Sequence, residues 1–117
     1  MQGHIEFGRT GEDLGAEWLI KKGFVILCRN WRHGRYEVDI IAGRRGVLHF
    51  IEVKSRRSTT FGYPEASVSR KKIAHIMEGG TGWLLHWRGY RRTQYDVLAI
   101  TFLGGLQDFV LFEDVCL

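Results

Sequence analysis

Apolar and polar residues alternate in distinct blocks along the chain, and the blocks predict seven elements in the order α-β-β-β-α-β-β. Residues 1–9 (MQGHIEFGR) carry no clear period and read as a loose arm. A helix is predicted from Thr10, where Thr10 and Asp13 fit a capping box and Leu14, Trp18 and Leu19 form an apolar stripe. Gly23, after Lys21 and Lys22, fits its C-terminal cap. Three strands follow: Phe24 to Trp31, Tyr36 to Ala42 and Val47 to Lys54. Turn signals lie at His33-Gly34 and at residues 43–46.

After the loop SRRSTTFGYP (55–64), a second helix is expected from about Glu65 to Met77. Gly79, Gly80 and Gly82 break or bend its continuation, since each glycine costs about 1 kcal/mol in a helix. Tyr95 to Phe102 and Phe109 to Phe112 read as the last strands, joined through Leu103-Gly104-Gly105. Such an order describes one α/β domain, a mixed sheet flanked by helices.

At 117 residues the chain suits a single core. Its 44% hydrophobic and 26% charged composition is globular rather than disordered. Net charge is +4, and 12 of the 17 basic residues are arginine, whose planar fork suits phosphate oxygens. Arg32, Arg56 and Arg57 flank the predicted strands and are candidate contacts to nucleic acid. A solvated basic surface would carry the same excess. The two cysteines form no CxxC pair and the five histidines have no HExxH spacing, which argues against a structural zinc site or a disulfide scaffold. With no signal-like or membrane-length apolar run, the simplest location is a reducing cytoplasm.

Candidate chemistry gathers on the second and third strands. Glu37 and Asp39 share one face of the second; Glu52 and Lys54 share one face of the third. A four-residue turn at 43–46 makes Asp39 a diagonal neighbour of Glu52. A two-residue turn, Arg45-Gly46, makes them direct partners, and a three-residue turn separates their faces. Carboxylates brought together repel unless one is protonated or a cation neutralises them. Lys54 supplies one positive charge, and an oxygen-only ligand set points to Mg²⁺ or Mn²⁺ for the rest. A water held there, beside Lys54, is the candidate nucleophile. Taken alone, Glu-Val-Lys is a common tripeptide that reads as an exposed ion pair at a strand end; only its combination with Asp39, Glu12 and the flanking arginines is specific. Glu12, on a helix face with Gly15, Ala16 and Leu19, is either a first-turn acid or a carboxylate brought close to the sheet by small neighbours.

These residues resemble the core of PD-(D/E)xK phosphodiesterases. A longer series of segments, GEDLGAEWL (11–19), KGF (22–24), RNWR (29–32), EVDII (37–41), FIEVKSRR (50–57), FGYPEASVSRKK (61–72) and YDVLAI (95–100), looks like the YraN family of small uncharacterised bacterial proteins (uncharacterised protein family 0102). The resemblance implies a restriction-endonuclease-like fold near the Holliday-junction resolvases. It implies that Asp39, Glu52 and the Val53 carbonyl bind metal, that Lys54 orients the attacking water, and that Glu12 assists at a second metal or through water. Lys72 would touch the phosphate backbone, and Glu37 accompanies Asp39 without a defined role. The nuclease motif's proline is absent, and GGTG at 79–82 interrupts a helix that is continuous in the family.

The resulting expectation is a metal-dependent endonuclease acting on DNA, branched DNA among its substrates. One alternative is a non-catalytic nucleic-acid-binding module with the same fold. Another is an assembly component in which Trp83 and Trp87, otherwise core residues, lie at a homodimer interface.

Overall fold

In a computed structural model, which describes residues 3–34, 36–57 and 90–115, one helix packs on a five-stranded mixed sheet. The elements are α1 (Gly3–Lys21), β1 (Val25–His33), β2 (Tyr36–Arg44), β3 (Val47–Arg56), β4 (Arg92–Leu103) and β5 (Leu106–Phe112). Spatial order follows chain order, and only the β3–β4 pair is parallel. The second helix expected at 65–77, the glycine break, Trp83, Trp87 and Lys72 lie outside the described residues.

The helix begins at Gly3, seven residues before the cap expected at Thr10, so the residues after the second join α1 rather than a loose arm. Once a helix is nucleated, each added residue gains a hydrogen bond, and Gly3 and Gly8 each cost only about 1 kcal/mol. Its other end follows expectation. Gly23 takes φ 95°, its N–H donates to Ile20 O (3.0 Å), and the Phe24 N–H donates to Leu19 O (3.0 Å). This pair of bonds is a Schellman cap, and Leu19 and Phe24 bury together as its apolar contact.

Small residues let α1 sit close to the sheet. A Cβ on Gly15 would lie 3.1 Å from Leu98 Cδ2 and 3.6 Å from Val53 Cγ1, and one on Gly11 would lie 3.2 Å from Ser55 Cβ. Ala16 and Leu19 complete the buried helix face, against Ile40, Ala42, Ile51, Leu98 and Ile100. The opposite sheet face buries Val38, Ile41, Leu48, Phe50, Tyr95 and Val97. Burial on both faces explains why β3 and β4 read as nearly continuous apolar runs.

The β2–β3 turn decides the register. Arg44 pairs with Val47, so the loop is the two-residue form, with Arg45 at φ 53° and Gly46 at φ 77°. Both signs are positive, as a type I′ hairpin requires. Pairing continues to Ile40↔Ile51.

Candidate functional site

The paired register ends at Ile40↔Ile51; carried one step further it would set Asp39 opposite Glu52. Here the ladder gives way to a side chain. The Val53 N–H donates to Asp39 Oδ2 at 2.8 Å, which holds the carboxylate against β3. Burial along β3 also changes here: residues 47–52 are buried and 53–56 are partly exposed. The acids therefore stand where a buried strand emerges into solvent.

Glu52 is held from two sides. Lys54 Nζ lies 2.6 Å from its Oε2. The Tyr95 hydroxyl donates to its Oε1. Tyr95 belongs to β4, where it pairs with Phe50, two residues before Glu52 on the same face. Sequence reasoning passed over Tyr95. Its one signal was a phenol in a strand buried among aliphatic residues, since a buried hydroxyl needs a partner. Burial, and then the hydrogen bond to Glu52, push the phenol well above its ordinary range, so it remains a donor.

Electrostatics at Asp39 reflect crowding. Burial raises its carboxyl to about 6, the Val53 N–H opposes the rise, and the charges of Glu12, Glu52 and Glu37 add to it. Glu12 therefore lies within electrostatic reach, as its helix face suggested, but its Oε1 is 2.8 Å from Arg29 Nη2. The same nitrogen is 2.9 Å from Asp13 Oδ1, and the hydrogen bonds to Asp13 and then Glu12 hold the guanidinium above its ordinary range. Arg29 thus ties α1 to β1 and shares the negative charge of Glu12. Glu37 points to a different partner. It stands opposite Arg32 across β1–β2, 3.9 Å from its Nη2, with both side chains exposed. Arg56 and Arg57 follow Lys54 at the same end of β3.

The donor set fits a hard divalent cation. Two carboxylates on adjacent strands stand where β3 emerges into solvent, and the carboxyl of Asp39 is raised by burial and then by neighbouring acids whose charge a cation would offset. Glu12 does not close a third ligand position. Among the described residues, the trio with ligand atoms within 4.8 Å of one another is His49, Asp96 and Glu113 instead. Mg²⁺ commonly takes only one or two carboxylates and leaves the remaining positions to water and phosphate.

His49, Asp96 and Glu113 form a second polar cluster, near the start of β3 and β4. Asp96 is fully buried, yet it accepts from His49 Nδ1 (2.6 Å), Gln94 Nε2 (2.9 Å) and the Asp114 N–H (2.9 Å). The sequence signal was an aspartate inside the run YDVLAI. A carboxylate at such a position must be compensated by donors. Among the described residues no helix is long and apolar enough to cross a membrane.

The model of the uncharacterised protein family UPF0102 matches residues 11–100, which include all of these groups except Glu113 and Asp114. A UPF0102 protein of Phocaeicola vulgatus is 40% identical over 111 residues, covering 95% of this chain and 90% of the relative. One from Trichlorobacter lovleyi is 38% identical, over 89% of this chain and 84% of its own length. A third, from Anaeromyxobacter dehalogenans, is 41% identical over 88% and 78% respectively.

Proposed function

We propose, for a chain that belongs to uncharacterised protein family UPF0102, a metal-dependent hydrolysis of phosphodiester bonds in nucleic acid, by a site of the restriction-endonuclease-like, PD-(D/E)xK type. DNA is the proposed substrate, branched DNA included. The observation that carries the proposal is the Asp39 carboxylate held by the N–H of Val53, the residue after Glu52, at the emerging end of a hairpin, with Lys54 bound to Glu52.

Hydrolysis of a phosphodiester needs charge neutralisation at the phosphate, a positioned water and stabilisation of the departing oxygen. Mg²⁺ or Mn²⁺, held by Asp39, Glu52 and the Val53 carbonyl, would supply the neutralisation and lower the pKa of a water. This chain's own groups do the rest. The Val53 N–H and the Tyr95 hydroxyl fix the two carboxylates, so little reorganisation is left for the reaction. Lys54, partly exposed, is placed to hold the attacking water or a phosphate oxygen. Arg56 and Arg57 continue the positive track along the backbone of the bound strand.

A second reading, a binding module without catalysis, is favoured by one observation. Tyr95 and Lys54 occupy Glu52, and Arg29 occupies Glu12, so the network is held within the chain. The test is a panel of labelled four-way junctions, flaps and duplexes, with and without Mg²⁺ or Mn²⁺. Metal-dependent cleavage by the wild type that disappears in Glu52→Ala supports the hydrolase. Binding without cleavage, unaffected by Asp39→Ala, supports the module.

A further inference from the structure

The β2–β3 turn carries an unexpected residue. Arg45 adopts φ 53°, a left-handed conformation that asparagine or glycine takes at lower cost. Its guanidinium contributes nothing to the turn's geometry, so an arginine here calls for another reason. The neighbours supply one. The Arg91 N–H donates to Gly46 O (2.9 Å), and its Nη1 lies where a Cβ on Gly46 would approach to 3.0 Å. Arg44 stacks over the Phe24 ring at 4.0 Å and reaches Glu113 Oε1 at 3.5 Å. Together with Arg92, these arginines line a cavity of about 180 Å³ whose wall also contains His49, Gln94 and one carboxylate, Glu113. A water occupies about 30 Å³, so the space suits a tetrahedral oxyanion with part of its hydration.

The spacing of His49, Asp96 and Glu113 would also fit a cation. Two facts oppose that. Both oxygens of Asp96 already accept N–H donors, and Glu113 Oε1 faces Gln94 Nε2 (3.3 Å) and Arg44. Four guanidinium groups line the cavity. We infer that this cavity is a phosphate-binding site, separate from Asp39 and Glu52, with Asp96 bracing His49 and Gln94 in its wall.

Its position gives it a use. Val47, at the turn, and Glu52 are separated along β3 by roughly 17 Å at 3.3 Å per residue. Val47 and the cavity wall lie on the helix-side face and Glu52 on the other, so a nucleic acid would be held at the arginine cavity by a phosphate contact of its own, independent of the carboxylates. That anchoring role rests on the proposed nucleic-acid reading; capture of a phosphate group does not, and a free phosphate has the same chemistry.

The test uses the full chain, wild type against the double variant Arg45→Asn, Arg92→Gln. Asparagine suits the turn, so thermal melting should show the variant at least as stable, and melting below wild type would overturn the case that Arg45 is retained at a cost to the turn. Inorganic phosphate titrated by NMR should shift the amides of residues 44–49 and 91–94 in the wild type and not in the variant. Without metal, the variant should bind a duplex of about 20 base pairs roughly tenfold more weakly near 50 mM salt. Its salt slope should flatten by about 0.9 for each lost contact. Phosphate shifts without a change in duplex binding support the site with free phosphate as its ligand. Phosphate shifts in a wild type that binds no nucleic acid defeat the nuclease reading alone. Equal responses of wild type and variant to both probes overturn the inference.

Discussion

Asp39 and Val53 meet where two strands part: the carboxylate of one accepts the backbone N–H of the other at 2.8 Å, in place of a ladder hydrogen bond. This contact holds a negative charge at a half-buried point beside Glu52 and near Glu12. The fold accepts that electrostatic cost at the position where a cation would remove it.

The cost has a pH signature. The folded-state value of Asp39 is raised from 3.8 to about 6, so the native protein binds its proton more tightly than the unfolded chain. Its contribution is therefore most favourable below about pH 4 and is lost as pH rises through about 6. Solvent screening reduces the size to about 1–2 kcal/mol. Urea unfolding without divalent metal should show Asp39→Asn gaining that amount over wild type at about pH 7.5, and almost nothing at about pH 4. A difference independent of pH would exclude the effect. Mn²⁺ at about pH 7.5 should stabilise wild type and leave the variant unchanged.

Tyr95→Phe keeps the buried ring and removes the hydroxyl that donates to Glu52. Loss of this charged hydrogen bond should cost about 1–3 kcal/mol. Paired with Glu52→Gln in a double-mutant cycle, it should show a coupling of at least about 1 kcal/mol, read from denaturant midpoints. Additive effects would mean that the hydroxyl does not hold Glu52. On the proposed hydrolase reading, Tyr95→Phe should lower kcat more than it raises KM, because it would free a proposed ligand without removing it.

The site was legible from sequence as far as strand alternation reaches. Glu52 and Lys54 on one face, a hairpin through residues 43–46 and the Gly23 cap all follow from local chemistry. Alternation could not choose between the two-residue and four-residue turns, because Gly43-Arg44-Arg45-Gly46 suits either. The choice depends on Arg45 tolerating φ 53°. Tyr95 and Asp96 escaped for a different reason. Each lies more than 40 residues from its partner, Glu52 or His49, and only the parallel β3–β4 register brings them together. The helix start escaped because Thr10 and Asp13 look like a cap even though α1 continues through them to Gly3.

Gly43 is required by an aromatic ring. A Cβ there would lie 2.6 Å from Cε1 and Cζ of Tyr90 and closer still to the hydroxyl. A rigid ring cannot yield as a flexible chain end does, so Gly43→Ala should cost about 1–3 kcal/mol. In a Tyr90→Ala background the same substitution should be nearly neutral. Equal costs in both backgrounds would place the constraint in the backbone rather than in the packing of Tyr90.

Asp96 joins three segments: His49 on β3, Gln94 on its own strand, and the chain after β5 through the Asp114 N–H. The last contact is reinforced by the Val115 N–H donating to Tyr95 O at 2.8 Å. Asp96→Asn keeps Oδ1 for Gln94 and Asp114 only by turning its NH₂ toward His49 Nδ1, which clashes with an Nδ1–H and forces the imidazole into its other tautomer, with loss of the charged acceptor. The mismatch in a fully buried position should cost about 2–4 kcal/mol. Its local consequence is more diagnostic than its size. Hydrogen exchange at the Asp114 and Val115 amides should accelerate beyond the change at the Ile51 and Leu98 amides, which lie in the central ladder. Uniform acceleration would indicate a loss of global stability alone, and would remove Asp96 as the tie between the central sheet and the segment that carries Glu113 into the arginine cavity.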